Sequence, residues 1–288
     1  MARVVFREPE LGMLTGATRL AVWGDPISHS RSPRLHAAAY GVLGLDWEYG
    51  RRRVDEAAFP GAVNGLDATW RGLSLTMPLK QVAARDAAAL DDDARLTGAV
   101  NTYLLSEDGP RGFNTDVGGL ARALEEFGVH QPEVIRVLGA GATATSAVVA
   151  AARAGATTVE VCARRVEAAA ALGELDLDVD IRVRPLSADG LEPVNATIAA
   201  LPGGTDLGPV AEALASVSGP LVDVVYGGWP TPLAQAWERA GVAAHDGLGM
   251  LLHQALLQVR VFVAGDPALP LDREDAVLAA MRAALVGD

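Results

Sequence analysis

Two periodicities alternate along this chain. Short apolar runs bounded by glycine, proline or polar turn residues read as strands, and the longer stretches between them, apolar at every third or fourth residue, read as helices. Residues 20–23 form a first strand, followed by a turn and a helix that Ser32 opens, with Pro33 at its first position and Gly44 near its close. Residues 47–53 read as the next strand, and a strand over 72–76 followed by a helix over 78–90 repeats the pair. Residues 101–105 and 111–113, separated by Ser106-Glu107-Asp108-Gly109-Pro110, read as a hairpin. Asp116 then caps a helix running to about residue 127, with Gly128 at its end.

The same alternation resumes with a strand over 134–138 and continues with strands over 158–162, 196–201 and 221–225 and a short last one over 242–244. Residues 248–263 and 273–285 are helical by their apolar spacing, and the alanine run 147–154 is helix interior. Strands alternating with helices mean an α/β fold with mostly parallel sheets. A chain of 288 residues exceeds the usual size of one hydrophobic core, so two domains are expected. There is no internal repeat and no low-complexity linker.

Composition narrows the partners. Half of the residues are hydrophobic, ample for two cores, yet no apolar run reaches the roughly 18 residues that cross a bilayer. Met1-Ala2-Arg3-Val4-Val5-Phe6-Arg7-Glu8 lacks the apolar centre of a signal peptide, so a soluble, cytoplasmic protein is expected. The single cysteine, Cys162, excludes an internal disulfide and a cysteine-based metal cluster and reads as a buried strand residue; no metal is expected. The net charge of −12 argues against nucleic acid or an anionic membrane as partner. It also repels acidic small molecules at long range. An acidic substrate or phosphorylated cofactor must be held by helix N-termini and a few lysines or arginines.

Two segments carry chemistry on these grounds. In Thr76-Met77-Pro78-Leu79-Lys80 a strand runs into a helix with Pro78 at its first position, which puts Lys80 in the first turn, where the helix macrodipole opposes a cation by about 0.3–1 kcal/mol. A lysine kept there against the field is a candidate for proton transfer; the alternative is a solvated surface lysine. In Gly139-Ala140-Gly141-Ala142-Thr143-Ala144 a glycine-rich turn follows an apolar strand and opens a helix, the context of a dinucleotide fingerprint. The first glycine allows the turn, the second lets the backbone approach a pyrophosphate, and Ala144 permits close helix packing, with helix N–H groups facing the phosphates. At the end of the second strand, where an NAD protein usually offers a carboxylate to the ribose, stand Ala163, Arg164 and Arg165. Two guanidiniums and no acid favour NADP.

Several motifs taken together resemble the shikimate dehydrogenase family. They are Gly24-Asp25-Pro26-Ile27-Ser28-His29-Ser30-Arg31-Ser32-Pro33, Lys80, Thr97-Gly98-Ala99-Val100-Asn101-Thr102 and Gly112-Phe113-Asn114-Thr115-Asp116. Farther on stand Asp223-Val224-Val225-Tyr226, Thr231-Pro232-Leu233 and Asp246-Gly247-Leu248-Gly249-Met250-Leu251-Leu252-His253-Gln254-Ala255, so the likeness extends from about residue 19 to about residue 263. The resemblance implies an N-terminal α/β substrate domain with a mostly parallel sheet (1–116, completed by helices over 248–288) and an NADP-binding Rossmann domain (117–247). It implies NADP-dependent, reversible reduction of 3-dehydroshikimate to shikimate in the chorismate route to aromatic amino acids, by a monomer or homodimer.

By the same resemblance Lys80 and Asp116 are catalytic. Lys80 exchanges the proton of the C3 oxygen, and Asp116 orients Lys80 and bonds a ring hydroxyl. Ser30 and Ser32 hold the substrate carboxylate, a role that hydroxyls beside a helix N-terminus can fill without net positive charge. Thr76, Asn101, Asp116, Tyr226 and Gln254 bond the ring hydroxyls or carboxylate. Gly139, Ala140, Gly141, Ala142, Thr143, Arg164, Arg165, Val224, Gly247 and Met250 face the cofactor. Taken singly, Ser32 also reads as a helix cap, Asp116 as a cap, Thr76 as a strand residue and Gln254 as a helix-surface residue. The chain departs from the family's usual pattern at Ser74, where many relatives carry asparagine, at Ala163 in place of asparagine, and at Ala142 in place of a third glycine. His29, His36 and His253 are poor catalytic candidates beside Lys80. The alternatives are a quinate dehydrogenase of the same superfamily, which often uses NAD, an NADP-binding regulatory protein without turnover, and a methylenetetrahydrofolate dehydrogenase, which fits the serine and Asn-Thr-Asp motifs poorly.

Overall fold

The computed structural model describes residues 16–286; the reading of residues 1–8 lies outside them. The chain divides into two compact units, one running to Thr115 and resuming at Ala255, the other Asp116–Gln254. The sequence puts these crossings at 116/117 and 247/248.

The first unit is built on β1 (Arg19–Gly24), α1 (Ser32–Leu43), β2 (Glu48–Arg53), α2 (Phe59–Asn64), β3 (Trp70–Leu75), α3 (Lys80–Asp86), β4 (Ala89–Leu90), α4 (Asp92–Thr97), β5 (Thr102–Leu104) and β6 (Arg111–Phe113). Its sheet has the order β2-β1-β3-β5-β6-β4; β1 pairs in parallel with β2 and β3, and β5 is antiparallel to both β3 and β6. The hairpin read from residues 101–113 is thus present, with Thr102 opposite Phe113. Trp23, Phe59 and Tyr103 meet edge to face at 6.0–6.3 Å in the core of this unit, packed with Leu73, Leu75, Leu79 and Val100.

The second unit runs through α5 (Thr115–Glu126), β7 (Val134–Leu138), α6 (Ala142–Arg153), β8 (Thr158–Ala163), α7 (Val166–Ala169), β9 (Asp180–Pro185), β10 (Ala196–Ala199), α8 (Pro209–Ser216), β11 (Leu221–Asp223), α9 (Pro232–Arg239) and β12 (Ala244–His245). Its sheet is parallel, ordered β9-β8-β7-β10-β11-β12, so consecutive strands lead outward from β7 on one side and, after the crossover to β10, outward on the other. That is the doubly wound order of a dinucleotide-binding domain, with its switch point between β7 and β10. The helix α10 (Leu248–Ala264) crosses back into the first unit, where α11 (Glu274–Val286) packs on α1. Among the described residues no helix is long and apolar enough to cross a membrane.

Three local expectations are corrected. Pro78 is not the first helical residue. The chain turns through Met77 and Pro78, closed by the Leu79 N–H donating to the Thr76 carbonyl at 2.8 Å, and α3 begins at Lys80 and ends at Asp86, with Leu90 in β4. Ser32 does not cap α1, because Arg31 already has helical torsions and stands at the cap position; Ser32 is the first helical residue. Asp116 is not the cap of α5 but its second residue, since the Thr115 N–H is taken by the side-chain carbonyl of Asn101 at 2.9 Å.

Candidate active site

In the first unit the parallel pairing of β1 with β3 brings Trp23 beside Leu75, so the segments leaving the two carboxyl ends start side by side. Open α/β sheets bind ligands at such ends. The Thr76 N–H donates to the Trp23 carbonyl at 3.0 Å, and the Asp25 N–H donates to the Met77 carbonyl at 2.9 Å. Only glycine fits at position 24, because a Cβ there would lie 2.4 Å from Thr76 Cγ2 and 2.8 Å from the Met77 carbonyl. One of these segments carries Ser30 and Ser32, with the Ser32 N–H donating to Ser30 Oγ at 3.3 Å at the start of the twelve-residue α1. The other carries Thr76 and Lys80, both half-buried.

Main-chain bonds hold Lys80 and Asn101 in register. Val100 donates to the Lys80 carbonyl at 2.9 Å and Leu75 to the Asn101 carbonyl at 2.7 Å. Asn101 is buried, and its side-chain oxygen also accepts from the Thr102 hydroxyl at 2.8 Å while its amide donates to the Thr115 hydroxyl at 3.0 Å. Ser30, Ser32, Thr76, Lys80 and Asn101 therefore stand on one supported framework in this unit.

Beneath them lies a polar network that the sequence did not reveal. Tyr49 donates to Ser74 Oγ at 2.6 Å, Ser74 donates to Gln258 Oε1 at 2.8 Å, and Gln258 Nε2 donates to the Asn101 carbonyl at 3.1 Å. His36 sits between Tyr40 Oη (3.0 Å) and Gln258 Oε1 (3.2 Å), stacked on Tyr49 at 4.0 Å. Burial pushes the His36 pKa down to about 3, so the ring is a neutral structural element rather than a proton carrier. The Ser74 hydroxyl proton is committed to Gln258. The visible signal was Gln258, a polar residue set one turn after Gln254 among the apolar positions of α10.

In the second unit the turn after β7 has the form its glycines require. Gly139 has φ +122°, and a Cβ there would lie 2.6 Å from the Ala200 carbonyl, the neighbour across the switch point. Ala144, fully buried, would be 3.7 Å from that Cβ, which matches the close helix packing expected of it. Gly141 stands at the cap position of α6 with extended torsions and no side-chain cap, leaving the helix entrance lined by main chain and by Ala140, Ala142 and Thr143. These features fit a bound pyrophosphate. Arg164 and Arg165 are exposed immediately after β8. Gly247 donates to the Val225 carbonyl at 3.0 Å, and a Cβ on it would fall 2.2 Å from the Val224 carbonyl, so the segment carrying Gly247 and Met250 presses against the end of β11. Asp116 and Gln254 are buried in this unit and Tyr226 is half-buried. His253 pairs with Glu126 at 2.7 Å.

A family model for the shikimate dehydrogenase substrate binding domain matches residues 22–103. The NADP(+)-dependent shikimate dehydrogenase of Methylobacterium radiotolerans is 38% identical over 93% of this chain and 99% of its own. Among solved structures, a shikimate dehydrogenase from Mycobacterium tuberculosis superposes with a TM-score of 0.82 at 39% identity, covering 92% of this chain and 99% of that one. A shikimate 5-dehydrogenase from Thermus thermophilus, in complex with NADP(H) and shikimate, gives 0.77 at 31% identity over 92% and 99% of the two chains.

Proposed function

The chain belongs to the shikimate dehydrogenase family, and on that premise we propose how its residues divide the work of an NADP-dependent oxidoreductase that interconverts 3-dehydroshikimate and shikimate. The observation that carries the division is the shared framework of Lys80, Thr76 and Asn101 at the carboxyl ends of β1 and β3, next to the paired serines at the start of α1.

NADP supplies hydride acceptance and donation at its nicotinamide ring. Lys80 takes the proton from the C3 hydroxyl of shikimate as the alcohol becomes a ketone and returns it in the reverse direction, a transfer worth roughly 100- to 10,000-fold for a positioned group. Asp116, in the Asn-Thr-Asp motif, is assigned the second catalytic role. Ser30 and Ser32 receive the carboxylate beside the N–H groups that open α1, which meets the need for local rather than net positive potential in a chain of charge −12. Thr76, Asn101, Tyr226 and Gln254 bond the remaining polar groups of the substrate. On the cofactor side, Gly139, Ala140, Gly141, Ala142 and Thr143 surround the pyrophosphate, and Arg164 and Arg165 take the 2′-phosphate by charge-assisted hydrogen bonds. Val224, Gly247 and Met250 line the rest of the cofactor's path. The single buried cysteine suits a reducing compartment, and we place the enzyme in the cytoplasm as a monomer or homodimer.

A matrix of initial rates with shikimate and quinate, each with NADP and NAD, tests this assignment. The pairing of shikimate with NADP should dominate. A preference for quinate with NAD would move the chain to the quinate branch of the superfamily, and no turnover with any pairing would leave an NADP-binding protein.

A further inference from the structure

The row Tyr49, Ser74, Gln258, Asn101 has a direction that can be read by counting donors. Gln258 turns Nε2 to the Asn101 carbonyl at 3.1 Å, so its Oε1, which only accepts, faces Ser74 and His36. The one proton of Ser74 goes to Gln258, and Ser74 can only accept from Tyr49 at 2.6 Å. The one proton of Tyr49 goes to Ser74. Tyr49 also hydrogen-bonds the hydroxyl of Ser32, and with its own proton committed it is the acceptor there. The Ser32 proton therefore points inward, toward Tyr49, away from any anion arriving at the start of α1.

This row can reverse at its outer end at little cost. If the Tyr49 hydroxyl rotates from Ser74 to Ser32, Ser74 keeps its bond to Gln258, no donor is orphaned, and the Ser32 proton is released to point outward. The Tyr49 ring itself stays put, stacked on His36 at 4.0 Å with the planes 13° apart, while His36 is locked by Tyr40 and Gln258. We propose that Tyr49 is a positioning residue for the substrate carboxylate, its hydroxyl turning from Ser74 to Ser32 as the carboxylate binds and holding Ser32 as an outward donor. A proton donated into Ser32 polarises the hydroxyl and strengthens its own donation. The proposal rests on the reading that Ser32 receives the carboxylate.

The experiment is steady-state kinetics with shikimate and NADP on the wild type, Tyr49→Phe, Ser32→Ala, the double variant and Ser74→Ala. Tyr49→Phe keeps the ring and should lower kcat/KM for shikimate by roughly 3- to 10-fold, the size of one net hydrogen bond, through KM, with kcat and the KM for NADP nearly unchanged. In the Ser32→Ala background the same change should cost less than about twofold, because the hydroxyl it acts through is gone. Ser74→Ala removes the competing acceptor and turns the Tyr49 proton to Ser32 in advance. It should lower the KM for shikimate by roughly 2- to 5-fold, the opposite sign from damage to a structural network, and it carries the test alone if Tyr49→Phe fails to fold. Additive losses in the double variant, no loss in Tyr49→Phe, or a raised KM in Ser74→Ala would each overturn the proposal and leave the carboxylate site standing. An unchanged kcat/KM in Ser32→Ala would overturn the carboxylate site and the proposal with it.

Discussion

The side-chain carbonyl of Asn101 accepts the Thr115 main-chain N–H at 2.9 Å, so a residue assigned to the substrate also closes the first turn of the helix on which Asp116 comes next. Binding and architecture share one side chain here. Asn101→Ala leaves the buried donors of Thr115 and Thr102 without their acceptor and should destabilise the fold by roughly 1–3 kcal/mol as well as lowering kcat/KM for shikimate. Urea melts check it, and a stability loss below about 0.5 kcal/mol would show that the helix start is held by something else.

Cofactor choice is predicted to rest on the exposed arginines after β8. Charge-assisted contacts to a 2′-phosphate are worth about 1.5–3 kcal/mol, so Arg164→Ala should reduce the preference for NADP over NAD by roughly 10- to 150-fold while leaving NAD use little altered. The ratio of kcat/KM values for the two cofactors measures it directly. A wild type that already prefers NAD would contradict this reading of the strand end.

Acid should weaken the fold through His36. In the folded protein its pKa lies near 3 because burial opposes the charge, against an ordinary value of 6.5 in the unfolded chain. Between those values the unfolded chain binds the extra proton, so stability is fully present above 6.5 and declines as pH falls toward 3. His36→Gln cannot take up that proton, and its urea midpoint should fall less steeply over this window than the wild type's. Parallel slopes would mean that other groups govern the acid limb.

The carboxylate reading predicts a loss that tracks the ligand. Ser30→Ala should lower kcat/KM for shikimate by roughly 10- to 150-fold, the value of a hydroxyl bonded to a charged partner, and should change the rate with a shikimate analogue lacking the carboxylate far less. Equal fractional losses on the two substrates would make Ser30 a structural loop residue.

Much of this was legible in the order of residues. The strand at 134–138, the glycine turn and the two arginines lie within one strand-helix-strand unit, where local signals and tertiary role coincide. The hairpin at 101–113 announced itself by the turn residues between its strands. Elements such as β9 and α8 did not, because a half-exposed edge strand and an eight-residue helix carry too little periodicity to stand out. The start of α5 was misread at Asp116 because the acceptor of its first N–H is 14 residues upstream. The same limit hid the network of Tyr49, Ser74 and Gln258, whose partners are 25 and 184 residues apart in sequence and become neighbours only when β2, β3 and α10 have packed.

With Lys80 proposed as the group that moves the proton, one variant tests that role most directly. Rates of shikimate oxidation by Lys80→Ala at saturating shikimate and NADP, followed by the absorbance of the reduced nicotinamide, should fall by roughly 100- to 10,000-fold, while NADP affinity measured by titration and the thermal midpoint stay close to wild type. Retention of more than about a tenth of the wild-type kcat would contradict the assignment, since so small a loss is below what a positioned acid-base group contributes.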